Sequence, residues 1–117
     1  MAKKVAVIGA GISGISASET LLQAGLEVSL FDQGKAPGGR LGLRTLKMAP
    51  NENRNIDVGA AYFTVQDSVF EKKVNEWISH DLVFEWKEDF QVIENNQRIT
   101  KSGPSRYVVK NGIKNLV

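Results

Sequence analysis

The stretch that decides the fold is Val5-Ala6-Val7-Ile8-Gly9-Ala10-Gly11-Ile12-Ser13-Gly14, close to the start of the chain. Its apolar first part, 5–8, has the length of one buried strand, and the second part is a G-x-G-x-x-G turn that leads into a helical pattern. Gly9 permits the tight turn, Gly11 lets a phosphate approach the backbone, and Gly14 lets the helix pack against the sheet. Because the helix begins with free N–H groups and the positive end of its dipole, the sequence predicts an anion site that fits a pyrophosphate.

The segment after the turn completes the pattern of a dinucleotide-binding unit. The helix is predicted to end at Gly25, a residue suited to the left-handed C′ position. A second strand, 26–31, ends on Asp32, an acid that can accept hydrogen bonds from an adenosine ribose. The alternative is an ordinary βαβ unit with a glycine-rich turn and no ligand. The apolar side of the predicted helix consists of Ile12, Ile15, Ala17, Leu21 and Leu22.

Length and composition limit the other classes of function. The 117 residues suffice for one small domain, and a hydrophobic content of 42% suffices for a core. A net charge of +2 without a long basic run argues against nucleic acid or a membrane surface as partner. The chain has no cysteine, which excludes disulfides and thiolate metal sites, and we find no ligand pattern for another metal. With no signal peptide and no apolar stretch of membrane-spanning length, we expect a cytoplasmic location.

The middle of the chain is predicted to alternate between loops and extended segments. The glycine-rich segment 33–40 predicts a loop, and 41–48 predicts a short extended piece. The polar residues 49–55 predict an exposed loop tip. The small and apolar residues 56–63 predict a return into a packed interior.

A second helix is predicted from Asp67 or Ser68, either of which can cap it. Its apolar side has helical spacing, so this side is expected to face the core. Trp86 is expected in a strand that packs against this helix at Trp77. The apolar side consists of Phe70, Val74, Trp77 and Ile78.

The last third of the chain predicts strands and the beginning of a helix. An antiparallel β-hairpin segment is expected over 82–101, with its turn at Asn95-Asn96. A further strand is predicted at 106–109. Residues 111–117 predict the opening of another amphipathic helix.

Two further segments have residue types that suit a nucleotide ligand. In Gly38-Gly39-Arg40, the planar and permanently charged guanidinium of Arg40 suits a diphosphate or a flavin ring, and the glycines let the backbone lie against a ligand. The alternative is a flexible loop with one solvated arginine. In the segment 57–63, small residues permit a close approach, and Tyr62 and Phe63 can wall a planar ring. The alternative is a buried strand entry with core aromatic residues.

Together these signals resemble the N-terminal part of FAD-dependent oxidoreductases of the amine-oxidase superfamily, and within it the renalase-like proteins. The resemblance implies an α/β fold, namely a Rossmann-type FAD/NAD(P)-binding fold with an antiparallel β-hairpin insertion. Members of this family are much longer, so residues 1–117 are expected to form the truncated front portion. The chain departs from the family at Ala61, where glutamine is common, and at Gly42, where a residue with a Cβ is usual. The resemblance extends to Phe70–Trp77, Glu85-Trp86, Arg106-Tyr107-Val108 and Asn111-Gly112-Ile113.

The resemblance also implies FAD as the cofactor and assigns residues to each part of it. The expected activity is hydride transfer from a dihydronicotinamide or amine-type substrate to the flavin and then to oxygen, without a catalytic side chain in this segment. The implied contacts are Gly9, Gly11, Ile12, Ser13 and Gly14 with the pyrophosphate, Asp32 with the adenosine ribose, Arg40 with the diphosphate and flavin, and Ala60, Ala61 and Tyr62 with the isoalloxazine ring. Gln33 and Gly39 are also expected to contact the cofactor.

Two other functions stay open from the sequence. The glycine fingerprint alone also permits an NAD(P)-dependent dehydrogenase. The third possibility is a non-catalytic nucleotide-binding fragment, which is our expectation for the 117 residues as they stand. We expect such a fragment to retain FAD weakly or not at all and to lack oxidase activity. An unpaired sheet edge predicts self-association.

Overall fold

A computed structural model describes residues 3–117, which form two compact units. The first unit consists of the described residues up to Ala61 together with Asn111–Val117, and the second is Tyr62–Lys110. Over residues 3–117 we find no helix with the length and apolar character needed to cross a bilayer. The elements in chain order are β1 (Lys4–Ile8), α1 (Ile12–Gln23), β2 (Glu27–Phe31), β3 (Leu43–Ala49), β4 (Glu52–Asp57), β5 (Phe63–Thr64), α2 (Ser68–Ser79), β6 (Val83–Trp86), β7 (Phe90–Glu94), β8 (Gln97–Lys101), β9 (Arg106–Val109) and a 3₁₀ helix (Ile113–Leu116).

The first unit is built on the predicted βαβ arrangement. Strands β1 and β2 pair in parallel, with Val5 opposite Val28, and α1 connects them. The helix ends as predicted, because Gly25 has φ +78 and its N–H donates to the Leu22 carbonyl at 2.9 Å. The next N–H, that of Leu26, donates to the Leu21 carbonyl, which completes a Schellman motif.

The side of α1 that faces inward differs from the predicted one. Ser18 is 7% exposed, whereas Leu22, which was expected inside, is 57% exposed. Burial of Ser18 is tolerated because its hydroxyl donates to the Gly14 carbonyl at 2.8 Å. Gly14 lies on the same face, and a Cβ at this position would overlap the carbonyl oxygen of Gly9. Small residues therefore bring the helix close to the preceding turn, so the largest apolar side chains do not define the buried face.

The predicted loop over 49–55 is wrong for most of its length. Strands β3 and β4 pair antiparallel, and only Pro50 and Asn51 separate them. Nearly all side chains of β4 are exposed, and most of them are polar. The sequence of β4 therefore lacks the alternation of apolar and polar residues by which a strand is predicted. Across the pair, the Thr45 hydroxyl donates to Asn55 Oδ1 at 2.8 Å.

The expectation that 56–63 re-enters a packed interior is also wrong for the large apolar residues at its start. Ile56 is 43% exposed and Val58 is 59% exposed. The small residues that follow are exposed as well, and Phe63 is partly buried. The small and apolar residues of this segment therefore lie on the surface, because burial depends on what packs against a segment as well as on its residue types.

The second unit packs α2 against a three-stranded antiparallel sheet of order β5-β9-β6. Asp67 caps α2 as predicted, because its carboxylate accepts a hydrogen bond from the Phe70 N–H at 2.8 Å. The buried residues here are Val74, Val83 and Val109. The aromatic rings that contact one another beside them are Phe63, Phe70, Trp77 and Tyr107.

The segment 82–101 contains two different kinds of strand pairing. Strands β7 and β8 form an antiparallel hairpin whose turn residues, Asn95 and Asn96, have φ of +50 and +60, typical of a type I′ turn. Strand β6, in contrast, pairs with β9. Trp86 contacts Phe90 at 4.9 Å between ring centroids rather than Trp77, so the expected Trp77–Trp86 contact is wrong. The reason is alternation along β6, which places Trp86 on the face opposite to that of buried Val83.

The last residues, Asn111–Val117, belong to the first unit. They form a single 3₁₀ turn, Ile113–Leu116, in place of the predicted amphipathic helix. Asn111 and Gly112 precede the turn with φ of +62 and +106, and Ile113 is 3% exposed. The burial of one apolar side chain thus suffices to dock this segment.

Candidate functional site

The glycine turn between β1 and α1 is held in place by main-chain hydrogen bonds from two other segments. Gly9 has φ +104, and its N–H donates to the Phe31 carbonyl at 2.7 Å, which joins the turn to the end of β2. The Ala10 carbonyl accepts from the Gly38 N–H at 2.8 Å, which joins the turn to the glycine-rich loop 33–40. These bonds join the turn to β2 and to the glycine-rich loop.

The N-terminus of α1 presents amides without acceptors. Ile12, Ser13 and Gly14 occupy the first turn, where the N–H groups have no intrahelical acceptor. Within the described residues, no side chain caps this helix, and its first turn has no acidic residue. The positive end of the helix dipole thus faces an open groove and can bind an anion.

Gly11 is the N-cap residue of α1, and the space where its Cβ would lie is open. Its φ of −73° and ψ of 176° are available to any residue. A Cβ at this position would meet no atom of residues 3–117 within 4 Å beyond its chain neighbours. Neither the backbone angles nor the packing of residues 3–117 requires glycine here.

A groove of about 420 Å³ runs along the turn. It brings together all five residues predicted to contact a pyrophosphate and the predicted pair Gly39 and Arg40. The remaining residues of its lining were not predicted as contacts. The lining consists of Ile8, Gly9, Gly11, Ile12, Ser13, Gly14, Gly38, Gly39, Arg40 and Leu41.

Two further hollows adjoin the groove, one at each end. A hollow of about 330 Å³ is lined by Asp32 and Gln33 and shares Ile8 and Gly9 with the groove. A hollow of about 640 Å³ shares Gly39–Leu41 with the groove and extends along Val58–Ala60. Because the groove shares lining residues with each of the other two hollows, we refer to the three together as the track.

Sequence reasoning missed two exposed apolar residues of this track, Ile8 and Phe31. Both are the last residues of parallel strands, and both are more than half exposed. Ligands of open α/β sheets bind outside the carboxyl ends of the strands, and this rule would have identified them.

Asp32 is tied to the backbone as well as placed for a ligand. Its Oδ2 accepts from the Ala10 N–H and its Oδ1 from the Gly34 N–H, each at 2.6 Å. These bonds lower the pKa of Asp32 below its ordinary value of 3.8, the Ala10 bond having the larger effect. The side chain is exposed, so each carboxylate oxygen retains a lone pair that a ribose hydroxyl can reach.

Acidification tests these two hydrogen bonds. Because the folded-state pKa of Asp32 is lowered, the stability that its carboxylate adds is present above the ordinary pKa and is lost as the pH falls through the lowered one. We expect the Asp32 carboxyl carbon, followed by NMR from about pH 5 to about pH 2, to titrate below 3.8. In Asp32→Asn, thermal unfolding should lose this contribution to its pH dependence. A carboxyl that titrates at or above 3.8 would contradict the assignment.

Of the remaining predicted residues, Arg40 lines the groove, whereas Ala61 and Tyr62 line none of the three hollows. Arg40 is exposed, and its guanidinium has no carboxylate partner among residues 3–117. Its backbone touches the segment that ends at Ala60, since a Cβ at Gly59 would overlap the Arg40 carbonyl oxygen. Ala61 is not among the residues that line the three hollows. Tyr62 belongs to the second unit, where its ring contacts Trp86 and Phe90.

Metal binding has no support in the part of the chain that the structure describes. No group of three His, Cys, Asp or Glu side chains there could hold an ion. The polar groups that line the track are main-chain amides, the carboxylate of Asp32, the side chains of Ser13 and Gln33 and the guanidinium of Arg40, which suit a phosphorylated, ribose-containing ligand.

Three curated proteins are similar to parts of this chain. Hydroxyneurosporene desaturase of Cereibacter sphaeroides is 39% identical over 71 residues, which are 58% of this chain and 13% of that protein. A flavin-containing monooxygenase of Aspergillus flavus is 58% identical over 36 residues, or 31% of this chain and 7% of that protein. The 4,4'-diaponeurosporene oxygenase of Staphylococcus haemolyticus is 28% identical over 95 residues, or 75% of this chain and 18% of that protein. The chain thus matches less than a fifth of the length of each of them.

A domain family also matches this chain. Residues 7–77 match the family described as NAD(P)-binding Rossmann-like domain, and this range is more than half of the chain. It contains the glycine turn, Asp32 and Arg40. The chain therefore belongs to the NAD(P)-binding Rossmann-like domain family.

Proposed function

We propose that this chain is the FAD-binding front portion of a flavin-dependent oxidoreductase. The observation that carries the proposal is the open space at Gly11 in front of the uncapped N-terminus of α1. A main-chain site of this kind binds a diphosphate. The groove there continues into a hollow on each side, so the residues present fit a dinucleotide over its length.

Each part of the cofactor has its proposed residues. The amides of the turn and of the first helical turn hold the diphosphate, and the carboxylate of Asp32 holds the adenosine ribose, with Gln33 beside it. Gly39 and Arg40 lie between diphosphate and flavin, and Ala60 belongs to the flavin hollow. For Ala61 and Tyr62, a place beside the flavin ring stays a prediction from the resemblance. The amides concerned are those of Gly9, Gly11, Ile12, Ser13 and Gly14.

Arg40 supplies the positive charge of the site. Its guanidinium is exposed and has no acid partner among residues 3–117, so it can pair with a diphosphate without first breaking an ion pair. A diphosphate is common to FAD and NAD(P), so this pairing does not distinguish them. The Gly38-Gly39-Arg40 segment, which an NAD(P)-dependent dehydrogenase does not need, and the similarity to a flavin-containing monooxygenase favour FAD. The family's NAD(P)-binding description favours the second candidate, an NAD(P)-dependent dehydrogenase.

For the whole protein we propose renalase-like chemistry. Bound FAD supplies the acceptor for a hydride from a dihydronicotinamide or amine-type substrate, with oxygen as the final acceptor. The residues of this chain bind and orient the cofactor, and we assign none of them to proton transfer. For the chain by itself we propose nucleotide binding without turnover, self-association through the unpaired sheet edge, and a cytoplasmic location.

Titration with FAD, ADP and NAD tests the proposal. We expect saturable quenching of flavin fluorescence as FAD binds, displacement of FAD by ADP, weak retention of the yellow colour on gel filtration, and little response to NAD. Arg40→Gln should weaken FAD binding about tenfold or more, since a charge-assisted hydrogen bond contributes about 1.5–3 kcal/mol. Arg44→Gln, an equal change of charge on an exposed residue of β3, is the matched control.

The outcomes separate the candidate functions. Saturable NAD binding without FAD binding would favour the dehydrogenase and contradict the proposal. Hydrogen peroxide production by the 117-residue chain with FAD would contradict the proposed absence of turnover. Equal FAD affinity in Arg40→Gln and Arg44→Gln would remove Arg40 from the site.

A further inference from the structure

Asp57, the last residue of β4, binds a segment that lies far away in the sequence. Its Oδ1 accepts a hydrogen bond from the Ile113 N–H at 2.9 Å. Ile113 is the first residue of the 3₁₀ helix, and no other side chain of the described residues caps that helix. Beside this bond, Asn55 Nδ2 donates to the Asn111 carbonyl at 3.4 Å. The end of β4 therefore fixes where the 3₁₀ helix begins.

The 3₁₀ helix lies against Gly38. A Cβ at Gly38 would be 3.4 Å from two carbons of the Lys114 side chain and 3.5 Å from Val117 Cγ2. Gly38 is buried and has φ +117, a left-handed conformation that favours glycine. The side chains of Lys114 and Val117 thus pack directly over the glycine-rich loop.

Gly38 and Gly39 in turn lie against the glycine turn. The Gly38 N–H donates to the Ala10 carbonyl at 2.8 Å, and a Cβ at Gly39 would be 3.3 Å from Gly11 Cα. Both residues line the groove in which we place the diphosphate. The contacts therefore run without a gap from Asp57 through the 3₁₀ helix and Gly38 to the turn.

We propose that Asp57 is a positioning residue for the dinucleotide site. Its hydrogen bond to Ile113 docks the 3₁₀ helix, which presses Gly38-Gly39 against the turn and keeps the groove formed before a ligand arrives. A preformed groove binds more tightly because ordering it costs nothing at the moment of binding. The ligand named here rests on the proposed function, but the ordering of the loop does not.

Hydrogen exchange in the ligand-free protein tests the ordering. In Asp57→Ala, the Gly38 amide should exchange at least about tenfold faster, whereas the Gly25 amide, at the end of α1, keeps its rate. Asp57→Asn should restore the wild-type rate, because its side-chain oxygen can still accept from Ile113. Asp67→Ala, which removes the capping carboxylate of α2 in the second unit, is the matched control and should leave Gly38 unchanged.

Titration with ADP tests the consequence for binding. We expect about tenfold weaker ADP binding in Asp57→Ala, recovery in Asp57→Asn, and no change in Asp67→Ala. Should Asp57→Ala fail to fold, the double variant Lys114→Ala, Val117→Ala removes the cover of Gly38 without touching Asp57 and should give the same two changes.

Each outcome decides one of the two proposals. Wild-type exchange at Gly38 in Asp57→Ala and in the double variant overturns the positioning role. Equal acceleration at Gly38 and Gly25 shows a general loss of stability and overturns it as well. A wild-type protein that binds neither ADP nor FAD overturns the proposed function, while the exchange rates still decide the role of Asp57.

Discussion

A Gly14→Ala variant is expected to lose the folded state of the first unit, beyond any effect on nucleotide binding. The added Cβ would overlap the carbonyl oxygen of Gly9, which is a backbone atom with no rotamer to change. Nor can the turn move away easily, because Gly9 and Ala10 are bound to Phe31, Asp32 and Gly38. Overpacking of this kind costs about 3 kcal/mol or more in the free energy of unfolding.

Urea unfolding followed by circular dichroism measures this loss. Gly11→Ala is the matched control, since it makes the same chemical change three residues earlier, where the backbone is extended and the described residues leave the position open. We expect the control to stay within about 1 kcal/mol of wild type, because alanine restricts the unfolded chain but is a poorer N-cap residue than glycine. A Gly14→Ala protein within about 0.5 kcal/mol of the control would show that α1 does not pack as closely as the structure has it.

The βαβ part of the fold could be predicted because its local signals agree. The apolar strand, the glycine turn, the capping geometry at Gly25 and the second strand each indicate the same arrangement. The predicted burial of the first strand is wrong, since β1 alternates between exposed and half-buried residues and Ile8 is 80% exposed. Local signals also agree for the start of α2 at Asp67 and for Val74 on its buried side. Ile78, which is predicted on that side, is 40% exposed. Helix ends such as these can be predicted because a few neighbouring residues determine them.

Strands β3 and β4 could not be predicted because both of their faces are largely exposed. An exposed strand has no apolar period, and polar residues such as Asn53 and Asn55 then look like a loop. The buried Ser18 misled the prediction of the helix face for a related reason. Its burial depends on one hydrogen bond to Gly14 and on the closeness of the turn, and neither is visible in the residue type.

The candidate site also has a part that the sequence predicts and a part that it does not. Its anion-binding residues lie together in one short stretch, so spacing alone could predict Gly9, Gly11 and Gly14. The bond from Asp32 to Ala10 and the docking of Ile113 onto Asp57 join residues that are far apart in sequence. Such contacts follow from tertiary packing, and a single sequence does not contain them.

Gly11→Ala is expected to abolish most of the affinity for FAD and ADP while the free energy of unfolding stays within about 1 kcal/mol of that of wild type. The fold makes no use of glycine at this position, since its dihedral angles suit alanine and its side-chain direction points into open space as far as residues 3–117 are concerned. Ligand binding in the groove, unlike folding, should depend on glycine. A methyl group at position 11 would occupy the space in which a diphosphate would contact the amides of α1. We expect affinity to fall by about 10–100-fold, or roughly 1.4–2.7 kcal/mol, and to fall further in Gly11→Val.

Calorimetric titration of the Gly11 variants with ADP and with adenosine separates a loss of diphosphate binding from a loss of adenosine binding. Adenosine has no phosphate, so its binding at Asp32 and Gln33 should change little, and only the contribution of the diphosphate should disappear. Wild-type affinity for ADP in both Gly11→Ala and Gly11→Val would mean that no phosphate lies against this backbone. In that event the open space at Gly11 would have no ligand to explain it, and the proposed function would lose the observation on which it rests.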